Sequence, residues 1–165
     1  MAVRDIRVFP DPVLREETSP IEDFGESFKE ILQDMWDSML AHDGVGLAGP
    51  QVGISLQIAV IQIEENRYVL INPEILEERG EQVGEEGCLS FPGIFERVCR
   101  PEWIRVRALN ERGEPCEIEG TGLLARALAH EIDHLRGVLL LDHLSPLKRG
   151  IIKRRLKKLE TSEKD

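Results

Sequence analysis

The sequence predicts an α+β fold in which short antiparallel strands pack around a central buried helix, with a C-terminal amphipathic helix closing the chain. Three observations carry that expectation. Apolar residues recur at helical spacing from Phe24 to Ala41. From Gly44 to Gly120 the pattern changes to short runs rich in Ile, Val and Leu, separated by turn residues. A second helical stretch then opens at Gly120-Thr121 and is apolar nearly all round its first three turns, as a buried helix is. No internal repeat or low-complexity linker interrupts the 165 residues, so 1–165 reads as one domain, long enough to bury a sizeable core.

In the first helix Phe24, Phe28, Ile31, Leu32, Met35, Met39 and Leu40 form the apolar side, with Glu26, Lys29, Glu30 and Asp34 between them. Its Met and Trp residues are expected in the core, and His42-Asp43-Gly44 ends it, glycine being the common stop. Strands are expected at Leu56 to Ile63, Tyr68 to Ile71 and Ile104 to Leu109. The turn signals are Glu64-Glu65-Asn66, Asn72-Pro73 and Arg112-Gly113. The central helix runs to about Arg136, with Leu123, Leu124, Ala127, Leu128, Glu131 and Leu135 along one broad side and Gly137 as its stop. Ser145 caps a last helix over about 146–160, with Pro146 in its first turn. Leu147, Ile151, Ile152, Leu156 and Leu159 are its expected apolar stripe.

Composition narrows the function classes. The net charge of −10 is unevenly spread: seven basic residues and no acidic one lie between Lys148 and Lys158, whereas the chain before them holds 13 basic and 28 acidic residues. A polyanionic partner would therefore meet the last helix, and the acidic body gives no reason to expect DNA. No apolar run approaches the roughly 20 residues that span a bilayer, and Arg4, Asp5 and Arg7 interrupt any signal-like start, so a cytoplasmic home and no membrane are expected. The three cysteines are too few and too oddly numbered for a closed disulfide framework, and no CxxC is present. Cys99 and Cys116 are expected to be small buried hydrophobes.

His130-Glu131-Ile132-Asp133-His134 is the strongest chemical signal. Residues four apart share a helix face, so both imidazoles can reach one metal ion while Glu131 flanks the site as a general base. Two histidines satisfied by carbonyls would be the ordinary alternative. Yet a His-Glu-Asp-His cluster in an apolar helix buries charge at a cost of several kcal/mol unless a cation pairs it. An HExxH metalloprotease needs a third ligand downstream, but His143 comes too late for H-x-x-G-x-x-H spacing and no inward glutamate follows. A non-catalytic binding module with a structural metal is the other alternative, and it would require a closed four-ligand shell. Upstream, Cys88 in Glu85-Glu86-Gly87-Cys88-Leu89-Ser90 is a candidate thiolate. With two imidazoles it would favour Fe²⁺, Co²⁺, Ni²⁺ or Zn²⁺ over hard cations. In Gly44-Val45-Gly46-Leu47-Ala48-Gly49-Pro50-Gln51 the glycines allow close backbone approach, and Gln51 brings an amide that can donate to a carbonyl oxygen.

Together GVGLAGPQ, EGCLS and HEIDH, in that order, resemble the signature motifs of bacterial peptide deformylases, and the resemblance extends over nearly the whole chain. It implies a hydrolase that removes the formyl group from the N-terminal methionine of nascent proteins and releases formate. It implies Cys88, His130 and His134 as metal ligands, with Glu131 as the catalytic base. The Gln51 side chain and the Leu89 backbone N–H become the oxyanion donors. Gly44, Val45, Gly46 and Leu47 would line the cleft, where a peptide binds as an added strand. Leu123 and Ala127 would join Val45 and His130 around the methionine side chain, and Glu86 would pair with Arg100 as a brace. Fe²⁺ is the implied ion in the cell, with Zn²⁺, Ni²⁺ or Co²⁺ in purified protein, and the last helix is the implied ribosome dock. Two positions depart from the family's pattern. Gly49 stands where alanine is usual, which would loosen that loop, and Arg126 stands where an apolar pocket residue is usual.

Overall fold

In the computed structural model, which describes residues 2–164 with side chains as far as residue 159, the first amphipathic run forms α1 (Glu26–Ala41). Met35, Trp36 and Met39 are buried as expected, but Leu40 is largely exposed. Asp34 corrects the expected polar face. It is buried, because the N-terminal segment crosses it and supplies hydrogen bonds from Ala2 N–H (2.9 Å) and Arg4 Nε (3.1 Å). The helix ends at His42, and Asp43 rather than Gly44 takes the left-handed conformation after it.

Seven strands follow: β1 (Gly46–Ala48), β2 (Ile58–Ile63), β3 (Asn66–Arg79), β4 (Gln82–Cys88), β5 (Phe91–Arg100), β6 (Trp103–Leu109) and β7 (Pro115–Thr121). They form a five-stranded sheet in the order β1-β2-β3-β6-β7 and a separate hairpin of β4 and β5, with every pairing antiparallel. Glu64 and Glu65 make the expected turn between β2 and β3, whose register runs from Ile63↔Asn66 to Ile58↔Ile71. Asn72-Pro73 is not a turn. It is an irregularity inside β3, where Asn72 adopts a positive φ and the register with β6 shifts. There its side-chain amide brackets the Ile21 backbone, accepting at 2.8 Å and donating at 2.9 Å, so β3 bends without ending.

The alternation of β2 explains the layers. Ile58 and Val60 join the α1 core, while Ala59 and Ile61 join the core under α2 (Gly122–Leu135). The sheet is thus apolar on both faces, and α2 packs on β1, β2, β6 and β7. Residues 125–132 of α2 are buried without interruption, as its all-round apolarity predicts. Gly137 takes a left-handed conformation just past its end. Cys116 is only partly buried and Cys99 is exposed on β5, so neither fills the core as expected.

A third apolar cluster joins Phe91, Ile94 and Val98 of β5 to Leu139–Leu141 and to α3 (Pro146–Lys164). Ser145 Oγ accepts from Lys148 N–H at 3.2 Å, the expected cap. Only Ile152 and Leu156 of the expected stripe are buried; Leu147, Ile151 and Leu159 are exposed, since α3 meets the body along a narrow line. No helix among the described residues is long and apolar enough to cross a membrane.

Candidate active site

His130 and His134 lie on one face of α2, both buried, with their Nε2 atoms 3.2 Å apart. Cys88 comes from the end of β4, where the register with β5 slips between Gly87 and Cys88. Its Sγ stands 3.3 Å from His134 Nε2, and the three ligand atoms all lie within 4.8 Å of one another. The sequence expected these three to meet; the hairpin register and the helical period bring them together. One sulfur and two imidazole nitrogens suit a divalent transition ion, and three protein donors leave coordination positions for solvent or substrate. Glu131 Oε1 is buried with no hydrogen-bond partner among the described residues, which suits a site that takes a group besides protein; His134 Nδ1 is likewise without one, but on the ring edge away from the cluster.

Glu131 is 4% exposed and lies directly against Gly46, where any Cβ would collide with its Oε2. Burial pushes its carboxyl up to about 7, against the opposing pull of His130. Beside it Glu86 forms the centre of a buried charge network. Its Oε1 meets His130 Nδ1 (2.5 Å) and Arg100 Nη2 (2.6 Å), and its Oε2 accepts from Arg100 Nε (3.1 Å) and Arg126 Nη1 (2.7 Å). Burial alone would raise the Glu86 carboxyl, but the hydrogen bonds from His130 and Arg100 outweigh it and hold it well below the usual carboxylate range. The Glu86–Arg100 pair was expected; its extension was not. Arg100 Nη1 also reaches Asp133 Oδ2 at 2.5 Å, and His143 Nε2 meets the same oxygen at 2.7 Å. The Asp133 part of that extension was legible in principle, for Asp133 follows His130 by three positions and so shares its helix side.

Gln51 accepts from Ala48 N–H through Oε1 (3.0 Å), which turns its Nε2 toward Ser90 Oγ (3.2 Å) and Cys88 Sγ (3.5 Å). The donor thus faces the cluster. Two backbone bonds hold this arrangement from behind: Arg7 N–H donates to the Gln51 carbonyl (2.7 Å) and Phe9 N–H to the Ser90 carbonyl (3.0 Å), while Phe9 stacks on Phe91. Sequence inspection had no signal for that strap. Gly49 does not loosen its loop: a Cβ there would stand 2.6 Å from the Ile54 carbonyl, so the backbone is packed too closely for alanine.

A cavity of about 450 Å³ opens beside the cluster, and its walls include Gly44, Val45, Gly46, Leu89, Leu123 and Ala127. Leu47 is a correction. It is fully buried in the core beneath α1, because alternation along β1 turns it away from the face that Gly46 presents to Glu131. Arg126 also borders the cavity, but its guanidinium turns to Glu86 and to the Val98 carbonyl (3.1 Å).

The chain is similar to known proteins over most of its length. Residues 3–150 match the family model described as polypeptide deformylase. A peptide deformylase of Tolumonas auensis is 48% identical over 99% of this chain and 100% of its own length. The crystal structure of a peptide deformylase from Legionella pneumophila superposes with a TM-score of 0.94 at 47% identity, covering 98% of each chain. That of a peptide deformylase from Ehrlichia chaffeensis, in complex with actinonin, gives a TM-score of 0.94 at 37% identity over 97% of this chain and 99% of the other.

Proposed function

Because the chain belongs to the polypeptide deformylase family, we propose that its cavity is where the formyl group leaves an N-terminal formylmethionine, with Cys88, His130 and His134 holding the required metal ion. The observation that carries this reading is the meeting of those three donors beside the buried carboxyl group of Glu131.

When bound, a divalent cation supplies Lewis acidity, bringing the pKa of a coordinated water toward neutrality. Glu131 takes the proton of the attacking water at its carboxylate, as oxygen adds to the formyl carbon, and passes it to the departing amine as the C–N bond breaks. Formate and a peptide with a free N-terminal methionine are the products. Gln51 Nε2 and the Leu89 backbone N–H donate to the carbonyl oxygen as it gains charge. Each such donor is worth ~3 kcal/mol in the transition state. Gly44, Val45 and Gly46 offer backbone along which a peptide adds as a strand, and Val45, Leu123, Ala127 and His130 surround the methionine side chain.

The donor set suits Fe²⁺, Co²⁺, Ni²⁺ or Zn²⁺, and membership of the family supports Fe²⁺ as the ion in the cell. Zinc, nickel or cobalt would bind the same donors in purified protein, since affinity for such sites follows the divalent series more than biological choice. Iron beside a thiolate also makes activity sensitive to air. The whole chain acts as one catalytic unit in the cytoplasm. Of the seven basic residues between Lys148 and Lys158, Lys148 pairs with Glu96, and Arg149 bonds the Leu144 and Asp142 carbonyls. Lys153, Arg154, Arg155, Lys157 and Lys158 lie on exposed positions of that helix, which supports docking on ribosomal RNA phosphates with salt-dependent affinity.

Formate release from formyl-Met-Ala-Ser, measured anaerobically with Fe²⁺, tests the reaction. Cleavage of the unformylated peptide instead would favour a metalloprotease, and retention of metal with no hydrolysis would favour a structural ion. Pelleting with ribosomes at low and moderate salt tests the dock, and no co-sedimentation at either would remove it.

A further inference from the structure

The proposed reaction makes no use of Arg126, yet this side chain is only 9% exposed and carries a full charge. It projects from α2 and touches both strands of the hairpin: Nη1 donates to Glu86 Oε2 of β4 (2.7 Å) and to the Val98 carbonyl of β5 (3.1 Å). Its Nη2 is buried with no hydrogen-bond partner among the described residues. That nitrogen lies against Gly84 of β4, where a Cβ would come within 3.1 Å, so the hairpin leaves just enough room for the guanidinium. Burying a guanidinium with donors unpaired opposes folding, and an apolar side chain here would avoid that cost.

What the arrangement achieves follows from where the metal donors reside. Cys88 belongs to the β4–β5 hairpin, which shares no strand pairing with the five-stranded sheet, whereas His130 and His134 belong to α2. No backbone ladder therefore sets the distance from sulfur to the two ring nitrogens; beyond the backbone bond from Phe9 to Ser90, side-chain contacts between hairpin and helix set it. Arg100 ties the hairpin to the helix in one direction, from β5 to Asp133. Arg126 ties them in the other, from the helix to β4 and β5. The two guanidiniums also grip the carboxylate that holds His130 Nδ1.

We propose that Arg126 is a positioning residue for the metal donor set, fixing the hairpin that carries Cys88 against the helix that carries His130 and His134 and thereby setting the affinity of the site for its ion. The proposal rests on the ligand assignment made above. Groups that orient a ligand from behind typically change metal affinity by ~10–100-fold when removed.

The test uses metal-free wild-type protein, R126M and R126K, titrated anaerobically with Co²⁺ against a chelator. The thiolate-to-cobalt absorption band reports whether Cys88 remains bound. R126M is expected to bind Co²⁺ at least ~10-fold more weakly, with a diminished thiolate band. R126K keeps a charge beside Glu86 but cannot also span to Val98, so it should fall between the two, and it carries the test if R126M does not fold by circular dichroism. With Co²⁺ saturating, KM for a formyl-methionyl peptide should change by less than the metal affinity does. Native Co²⁺ affinity and a full thiolate band in both variants would overturn the proposal, and a raised KM alongside them would make Arg126 a wall of the cavity alone. A wild-type protein without the thiolate band would instead overturn the assignment of Cys88 as a ligand.

Discussion

Glu86 Oε1 lies 2.5 Å from His130 Nδ1, so the imidazole is oriented from behind with its Nε2 turned toward His134 and Cys88. A carboxylate in that place both fixes the ring and raises its strength as a donor. Glu86→Gln keeps the shape and removes the charge, while leaving Arg100 and Arg126 facing a neutral amide. Metal affinity should fall by ~10–100-fold, read by chelator competition. Unchanged affinity would show that the contact is not used in binding.

Glu131→Ala should retain its metal, measured by elemental analysis, while formate release drops by ~10²-fold or more. Gly46→Ala approaches the same group from the opposite side. Its added methyl would occupy the volume of Glu131 Oε2, so turnover should fall with the ion still present. A Gly46→Ala enzyme of normal rate would mean that Glu131 can serve from another rotamer.

Gln51→Ala removes the amide that faces Cys88 and Ser90. The expected loss is ~10²-fold in kcat with a smaller change in KM, because the donated bond strengthens only as charge develops on oxygen. An equal loss in binding of the ground state, seen as a raised KM at constant kcat, would place Gln51 in substrate recognition instead.

Asp142 and Arg15 join two distant stretches through paired contacts of 2.5 and 2.9 Å. Burial would push the Asp142 carboxyl up, but the bonds from Arg15 and the Leu139 N–H outweigh it and leave it below its ordinary value. A carboxyl lowered on folding contributes stability above the ordinary carboxylate range and loses it as pH falls through the lowered value. Both side chains are partly exposed, so solvent screening keeps the pair to about 1 kcal/mol or less. Asp142→Asn should therefore lower Tm by ~2–4 °C near neutral pH, with the gap closing in acid. A gap that persists once carboxyls are protonated would assign the effect to packing.

How far these features could be read beforehand depends on the kind of signal each one leaves. α1 and α2 are written in apolar period, and the His130–His134 spacing places both rings on one face before any coordinates exist. β4 and β7 left no such trace: Gln-Val-Gly-Glu-Glu-Gly-Cys and Pro-Cys-Glu-Ile-Glu-Gly-Thr are half-exposed strands without an apolar run. Asn72-Pro73 has turn chemistry but is spent on a bend within β3, because β6 continues to pair beyond it. Asp34 looks solvated until the N-terminal segment covers it. The approach of Cys88 to the histidines spans more than forty residues of chain, and only the three motifs taken jointly suggested it. Arg126 was visible as an oddity, but its partners sit on a hairpin whose placement no local pattern encodes.

The strap from Arg7 to Phe9 couples parts of the chain that are far apart in order. One of its amides grips the Gln51 carbonyl and another grips that of Ser90, so the two loops supplying the proposed oxyanion donors share a single splint. Tension or trimming at the N-terminal end is thereby transmitted to the spacing between those loops. A chain shortened through Phe9 should lose catalytic rate, and, because it also gives up the Ala2 and Arg4 bonds to Asp34, heat resistance with it.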